Sequence, residues 1–255
     1  METVFGAPFD VRLLAVVAAV LIGGFMRGFV GFGGALVTVP VLSVVWGPQA
    51  AVAITSVMGI PSLFQLLPEA VRYSERPVVI PVATATFLTA PIGSWVLVSA
   101  DPKLMTIVIS GLVIAMVAML AGGWTSKTEI RLPALIGAGA VGGLIQGAAG
   151  IGGPPVVAVA LSRAGSPKQQ RANVLAVMTA IASASLLPLW YFGVFTRQIL
   201  IAGVLLFPLY VAATTFGSRY FSKGGHRHYR RAALTTLAVI GVATLAASLR
   251  AYVAG

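Results

Sequence analysis

A glycine-rich segment occurs twice in this chain, 119 residues apart, each time inside a long apolar run. The first copy reads Gly24-Phe25-Met26-Arg27-Gly28-Phe29-Val30-Gly31-Phe32-Gly33-Gly34. The second reads Gly143-Leu144-Ile145-Gln146-Gly147-Ala148-Ala149-Gly150-Ile151-Gly152-Gly153. Five glycines coincide without a gap, and the same offset carries Val37 onto Val156, Leu42 onto Leu161, Pro48 onto Pro167 and Ala53 onto Ala172. A duplicated membrane unit interrupted by glycine at corresponding places is a strong sequence pointer to a transporter's binding site. The copies differ where Arg27 stands against Gln146.

Composition settles the surroundings. Of 255 residues, 58% are hydrophobic and 9% charged, far below the quarter or so that covers a water-facing domain. Stretches without charge run over 28–68, 77–100, 104–126, 132–162, 172–196, 198–218 and 232–249. Each reaches the ~18 residues that a membrane-crossing helix needs. The predicted fold is an all-α polytopic membrane protein built from two inverted repeats. Each repeat is a glycine-broken helix pair, re-entrant or discontinuous, followed by three transmembrane helices. The repeats are drawn at 1–123 and 133–255, with 124–132 as the connecting loop.

The segment 11–45 is too long for one ordinary crossing, since 35 helical residues extend about 52 Å against a hydrocarbon core of ~30 Å. Gly28, Gly31, Gly33 and Gly34 are the natural place to break it, leaving half-helices near 11–27 and 35–45. The second copy repeats this near 133–146 and 154–163, with Pro154 and Pro155 suited to a first helical turn. If both broken segments cross the membrane, the basic residues divide almost evenly between its sides. If both turn back as hairpins, twelve fall on one side and only Arg12, Lys103, Arg197 and Arg250 on the other. That asymmetry is what the positive-inside rule demands. It favours the hairpin arrangement, with the twelve cytoplasmic and both termini outside. The N-terminus opens with Glu2 and Asp10 rather than a basic stretch, unlike a typical signal peptide.

The paired signature resembles that of the TauE/SafE permeases. The first half carries G-F-x-G-F-G-G ending at Gly34 with Pro40 soon after, and the second carries G-x-x-G-I-G-G-P-P ending at Pro155. The stretches Ala53-Ile54-Thr55-Ser56 and Arg171-Ala172-Asn173, which open the next spans, fit as well. The resemblance implies transport of small sulfur-containing anions such as sulfite, sulfoacetate or related organosulfonates, usually outward across a bacterial inner membrane.

Arg27 is the leading binding candidate, as the only charged residue inside a predicted membrane segment. An intramembrane charge costs at least ~2.5–3.5 kcal/mol and must face a partner or a cavity. A guanidinium matches the oxygens of sulfite or a sulfonate bidentately. The alternative is an arginine that snorkels or caps half-helix carbonyls. Gly31, Gly33, Gly34, Gly150, Gly152 and Gly153 are candidates because half-helix N-termini would offer free N–H groups and a positive dipole end. Their alternative is packing, since Gly24-x-x-x-Gly28 and Gly143-x-x-x-Gly147 are small-residue contact patterns. Gln146 joins as the counterpart of Arg27. Gln65 and Asn173 form a second rank, being hard to hide in apolar spans. Thr55, Ser56, Thr179 and Ser183 are expected to bond their own preceding helical turn.

Several functions are disfavoured. A net charge of +11 would suggest nucleic acid in a soluble chain, but here the basic residues cluster in loops between spans, so the expected surroundings are a lipid bilayer. The chain has no cysteine, and its only histidines, His226 and His228, lie in a basic loop, so no metal or cofactor is expected. Neither a Ser–His pair in the spans nor a carboxylate dyad supports an enzyme. A secondary transporter working by alternating access is expected, with an anion channel as the alternative. A homodimer is left open.

Overall fold

The computed structural model describes residues 11–30, 32–121, 131–161 and 167–222, and positions 242, 245, 246, 249 and 250. The expected connecting loop and the last predicted span fall mostly outside the described residues. Nine helices are traced among them: α1 (Val11–Val30), α2 (Gly34–Trp46), α3 (Pro48–Tyr73), α4 (Arg76–Ser99), α5 (Pro102–Ala121), α6 (Leu132–Ala149), α7 (Gly153–Leu161), α8 (Pro167–Tyr191) and α9 (Arg197–Ser222). No strand occurs among the described residues. Six of these helices are long and apolar enough to cross a membrane. The chain is a multi-pass α-helical membrane protein.

Both glycine breaks form, and at both the chain turns back on itself. A Cβ added at Gly34 would meet the Gly23 carbonyl oxygen at 2.8 Å and the Arg27 Cβ at 3.2 Å, and one at Gly23 would meet Thr38 Cγ2 at 2.7 Å. As the chain advances from 34 to 38, its neighbours retreat from 27 to 23, so α2 runs antiparallel to α1. In the second copy Gly152 lies against Gln146 and Gly142, and Val156 against Gly142, so α7 runs antiparallel to α6. The turns differ in detail. In the first, Gly33 is left-handed at φ 90°; in the second it is Gly150, at φ 68°, whose N–H donates to the Gln146 carbonyl oxygen at 2.8 Å. Glycine reaches these angles without the strain a Cβ would add.

The arms are unequal, and their bounds shift from those expected at 11–27, 35–45, 133–146 and 154–163. The helices α1 and α6 run three residues further, to Val30 and Ala149, while the second arms α2 and α7 have 13 and 9 residues. Gly28 and Gly147 do not break the helix. They lie within it, where another backbone comes too close for any side chain.

That approach is built twice. A Cβ on Gly24 or Gly28 would run into the Tyr210 and Thr214 carbonyls of α9, and one on Gly217 of α9 into the Phe25 carbonyl of α1. Correspondingly, a Cβ on Gly143 or Gly147 would run into the Thr86 and Ala90 carbonyls of α4, and one on Gly93 of α4 into the Leu144 carbonyl of α6. The α1–α9 crossing and the α4–α6 crossing are thus the same small-residue interface, made by exchange of counterparts. Lipid tails solvate apolar side chains as well as a neighbouring helix does, so close backbone approach and hydroxyl bonds have to hold such helices together. At the second crossing, Thr86 Oγ1 donates to the Gly139 carbonyl at 3.0 Å and Thr89 Oγ1 to the Ala140 carbonyl at 2.9 Å. Helices α3 and α8 fill the centre, packing against each other and against α9 and α4 respectively.

Candidate functional site

The two breaks face each other across a cavity of about 70 Å³. Arg27 and Ala35 line it from the first hairpin, Gln146 and Gly150 from the second. Thr55, Ser56, Gly59 and Leu63 of α3 contribute one wall, Met178, Ala182 and Leu186 of α8 another, and Tyr210 of α9 closes it. A smaller pocket of about 30 Å³ continues between the breaks, bounded by Gly33, Gly34, Gly153 and Pro154. Arg27 and Gln146, the one pair at which the signatures differ in charge, border both.

Arg27 is only 8% exposed, and among the described residues it makes neither hydrogen bond nor ion pair. Its position follows from α1: Gly24 and Gly28 carry the face against α9, and Arg27, on the adjoining face, looks into the cavity. Tyr210, 4% exposed, stands opposite; its hydroxyl lies 2.5 Å from where a Cβ on Gly34 would be. That hydroxyl has no hydrogen-bond partner among the described residues either. Nothing in the sequence had singled out Tyr210. A tyrosine in a 24-residue apolar span reads as an ordinary aromatic until the fold turns it toward a buried guanidinium.

The other expected residues divide. Gly33, Gly34, Gly150 and Gly153 border the cavities, and Gly152 lies at the second break, where its N–H donates to Gln146 Oε1 at 3.1 Å. Gly31 and the side chain of Gln65 lie outside the described residues. Asn173 is buried but sits away from the cavity. Its Oδ1 accepts from the Glu75 N–H at 2.7 Å and its Nδ2 donates to Glu75 Oε2 at 3.0 Å, clasping the α3–α4 turn to α8. Replacing Asn173 by leucine is therefore expected to lower the melting temperature of the purified protein by several degrees, leaving the KM for substrate within about twofold. A larger rise in KM would place Asn173 in the transport pathway.

The hydroxyls behave as expected. Ser56, Thr179 and Ser183 each bond the carbonyl four residues back at 2.8 Å. Thr55 is the exception, its hydroxyl reaching Thr38 Oγ1 at 3.4 Å. Among the described residues no group of histidine, cysteine, aspartate or glutamate is arranged to hold a metal ion.

A family model described as "Sulfite exporter TauE/SafE" matches residues 16–244, which include both glycine breaks and every cavity-lining residue. The chain belongs to the TauE/SafE family. No curated protein and no solved structure matches it. Membership brings a transport role in the membrane and a sulfur-containing anion as the kind of substrate. For a TauE/SafE chain the cavity is chemically apt: its free polar groups are the donors of Arg27 and Tyr210 rather than carboxylates.

Proposed function

We propose that this TauE/SafE chain is a secondary transporter that exports a small sulfur-containing anion, sulfite or an organosulfonate such as sulfoacetate, by alternating access. The observation that carries this reading is Arg27, buried without a hydrogen-bond or ion-pair partner among the described residues, beside a cavity between two antiparallel hairpins. A cation held in that position at a cost of several kcal/mol is explained by an anion that comes and goes. Arg27, Gly33 and Gly34 of the first hairpin hold the anion, and the second hairpin, from Gln146 to Gly153, forms the opposite wall of the cavity.

The duplicated crossing, α1 on α9 and α6 on α4, supports two inverted repeats related by a pseudo-twofold axis, and motion of one hairpin-bearing half against the other would alternate access. The uneven division of basic residues supports a bacterial inner-membrane orientation with both termini outside. In that orientation export is driven downhill. Each negative charge moved outward gains ~2.3 kcal/mol per 100 mV of inside-negative potential.

The test is anion flux from proteoliposomes containing the full chain, with sulfite, sulfoacetate, sulfate and acetate compared. Saturable sulfite or sulfonate flux is expected. It should be stimulated by unlabelled substrate on the opposite side and accelerated at least several-fold by an inside-negative potential. Flux without trans-stimulation would indicate a channel, and flux indifferent to potential but dependent on a pH gradient would overturn the energetic account.

A further inference from the structure

The two breaks are alike in sequence but not in how their backbone donors are used. At the second, Gln146 reaches across the turn. Its Oε1 accepts the Gly152 N–H at 3.1 Å while its Nε2 donates to Ser185 Oγ at 3.3 Å, so the oxygen and one of the two amide N–H groups are engaged within the fold. At the first, the counterpart is Arg27, which has no acceptor atom. Gly33 caps α2 without a side-chain hydrogen bond, and the one side chain bonded to its first turn among the described residues, Thr38, donates to the Gly34 carbonyl at 3.1 Å rather than accepting an N–H. The side chains without a hydrogen-bond partner there among the described residues, the guanidinium and the Tyr210 hydroxyl, can both donate, as can the leading N–H groups of α2.

We infer that the breaks have different tasks: the Gln146 carboxamide oxygen permanently occupies the second, and the first alone binds the substrate's oxygens, with Tyr210 as a specificity-determining donor beside Arg27. The inference rests on the transport reading above and refines it to one anion per chain. The Gln146 oxygen on the Gly152 N–H is the protein's own version of the contact that a substrate oxygen makes at the start of α2. A sulfur oxyanion, with several oxygens and only acceptor lone pairs, can engage the guanidinium, the phenol and a backbone N–H together. A monocarboxylate has one oxygen fewer for the same donors, so Tyr210 favours the sulfur oxyanion over acetate.

Radiolabelled sulfite binding to the purified full chain in detergent, under anaerobic conditions, tests this. One site per chain is expected. Tyr210→Phe, which keeps the ring and removes only the hydroxyl, should weaken sulfite binding about tenfold or more and narrow the preference for sulfite over acetate. Gln146→Met should lower the melting temperature, yet the fraction that remains folded should bind sulfite within about threefold of the native Kd. Two sulfites per chain would overturn the inference and leave the transport reading intact. So would a Tyr210→Phe variant with native affinity, or a Gln146→Met variant of native stability that binds as poorly as Tyr210→Phe. No saturable binding of sulfite or sulfoacetate by the native chain would remove the transport reading itself, and the inference with it.

Discussion

Arg27→Gln is expected to reduce sulfite or sulfonate flux in proteoliposomes by about two orders of magnitude while leaving the protein at least as stable as the native chain. Hydrogen bonds to charged groups contribute roughly 1.5–3 kcal/mol each, and a guanidinium offers two to one oxyanion, so losing both costs about 100-fold in affinity or more. Stability should move the other way. The native protein holds an intramembrane cation at an expense of at least ~2.5–3.5 kcal/mol with no internal partner among the described residues. Glutamine is neutral, and its counterpart Gln146 shows that this side chain can bond a nearby turn amide. Function lost together with stability gained is the behaviour of a binding residue kept at the expense of the fold. Lys should restore part of the flux, because it returns the charge without the planar fork. If Arg27→Gln instead unfolded the protein, the arginine would be a structural cap on backbone carbonyls; if flux survived in folded protein, the anion would be bound elsewhere.

Gly147→Val is expected to have the largest effect on folding, preventing recovery of monodisperse protein, and Gly28→Val should do the same. A Cβ at either position overlaps a backbone carbonyl oxygen of the crossing helix, Ala90 for Gly147 and Thr214 for Gly28. A backbone oxygen cannot move aside as a flexible side chain can, so the helices must separate. Separation also strains the neighbouring bonds from Thr86 and Thr89 to the Gly139 and Ala140 carbonyls. Overpacking costs ~1–3 kcal/mol even where the surroundings can yield, and at a crossing of this kind they cannot. Gly111 of α5 and Gly137 of α6 supply the controls, since a Cβ there meets nothing within 4 Å. Gly111→Ala and Gly137→Ala should leave the melting temperature unchanged or raise it slightly, as alanine favours helix by up to ~1 kcal/mol over glycine. Equal losses at all four positions would mean that glycine is required for helix flexibility rather than for close approach.

Membrane class and helix content are legible in the sequence because hydropathy is a local property. A run without charges long enough to span is recognisable without knowing its neighbours. The breaks were legible as well, since glycine clusters inside over-long segments leave few other options. Even the pairing of Arg27 with Gln146 around one cavity followed from the 119-residue offset alone. Which glycines break the chain and which pack it did not follow, because both uses draw on the same absent Cβ. Only the crossing partner distinguishes Gly28, held against Thr214, from Gly33, turned to φ 90°.

The remaining decisions are tertiary for the same kind of reason. Asn173 and Gln146 are both buried amides, and an amide is donor and acceptor at once, so residue type does not say what it serves. The fold commits Asn173 to Glu75 and Gln146 to Gly152. Tyr210 acquires its role from α9 crossing α1 at Gly24 and Gly28, which brings a phenol from the fourth quarter of the chain against a guanidinium near its start. The sequence by itself pointed to a duplicated, glycine-broken helical membrane protein with Arg27 inside one of its apolar segments. The tertiary structure decided which donors stand around that charge, because that depends on contacts between residues nearly two hundred positions apart, which no local pattern encodes.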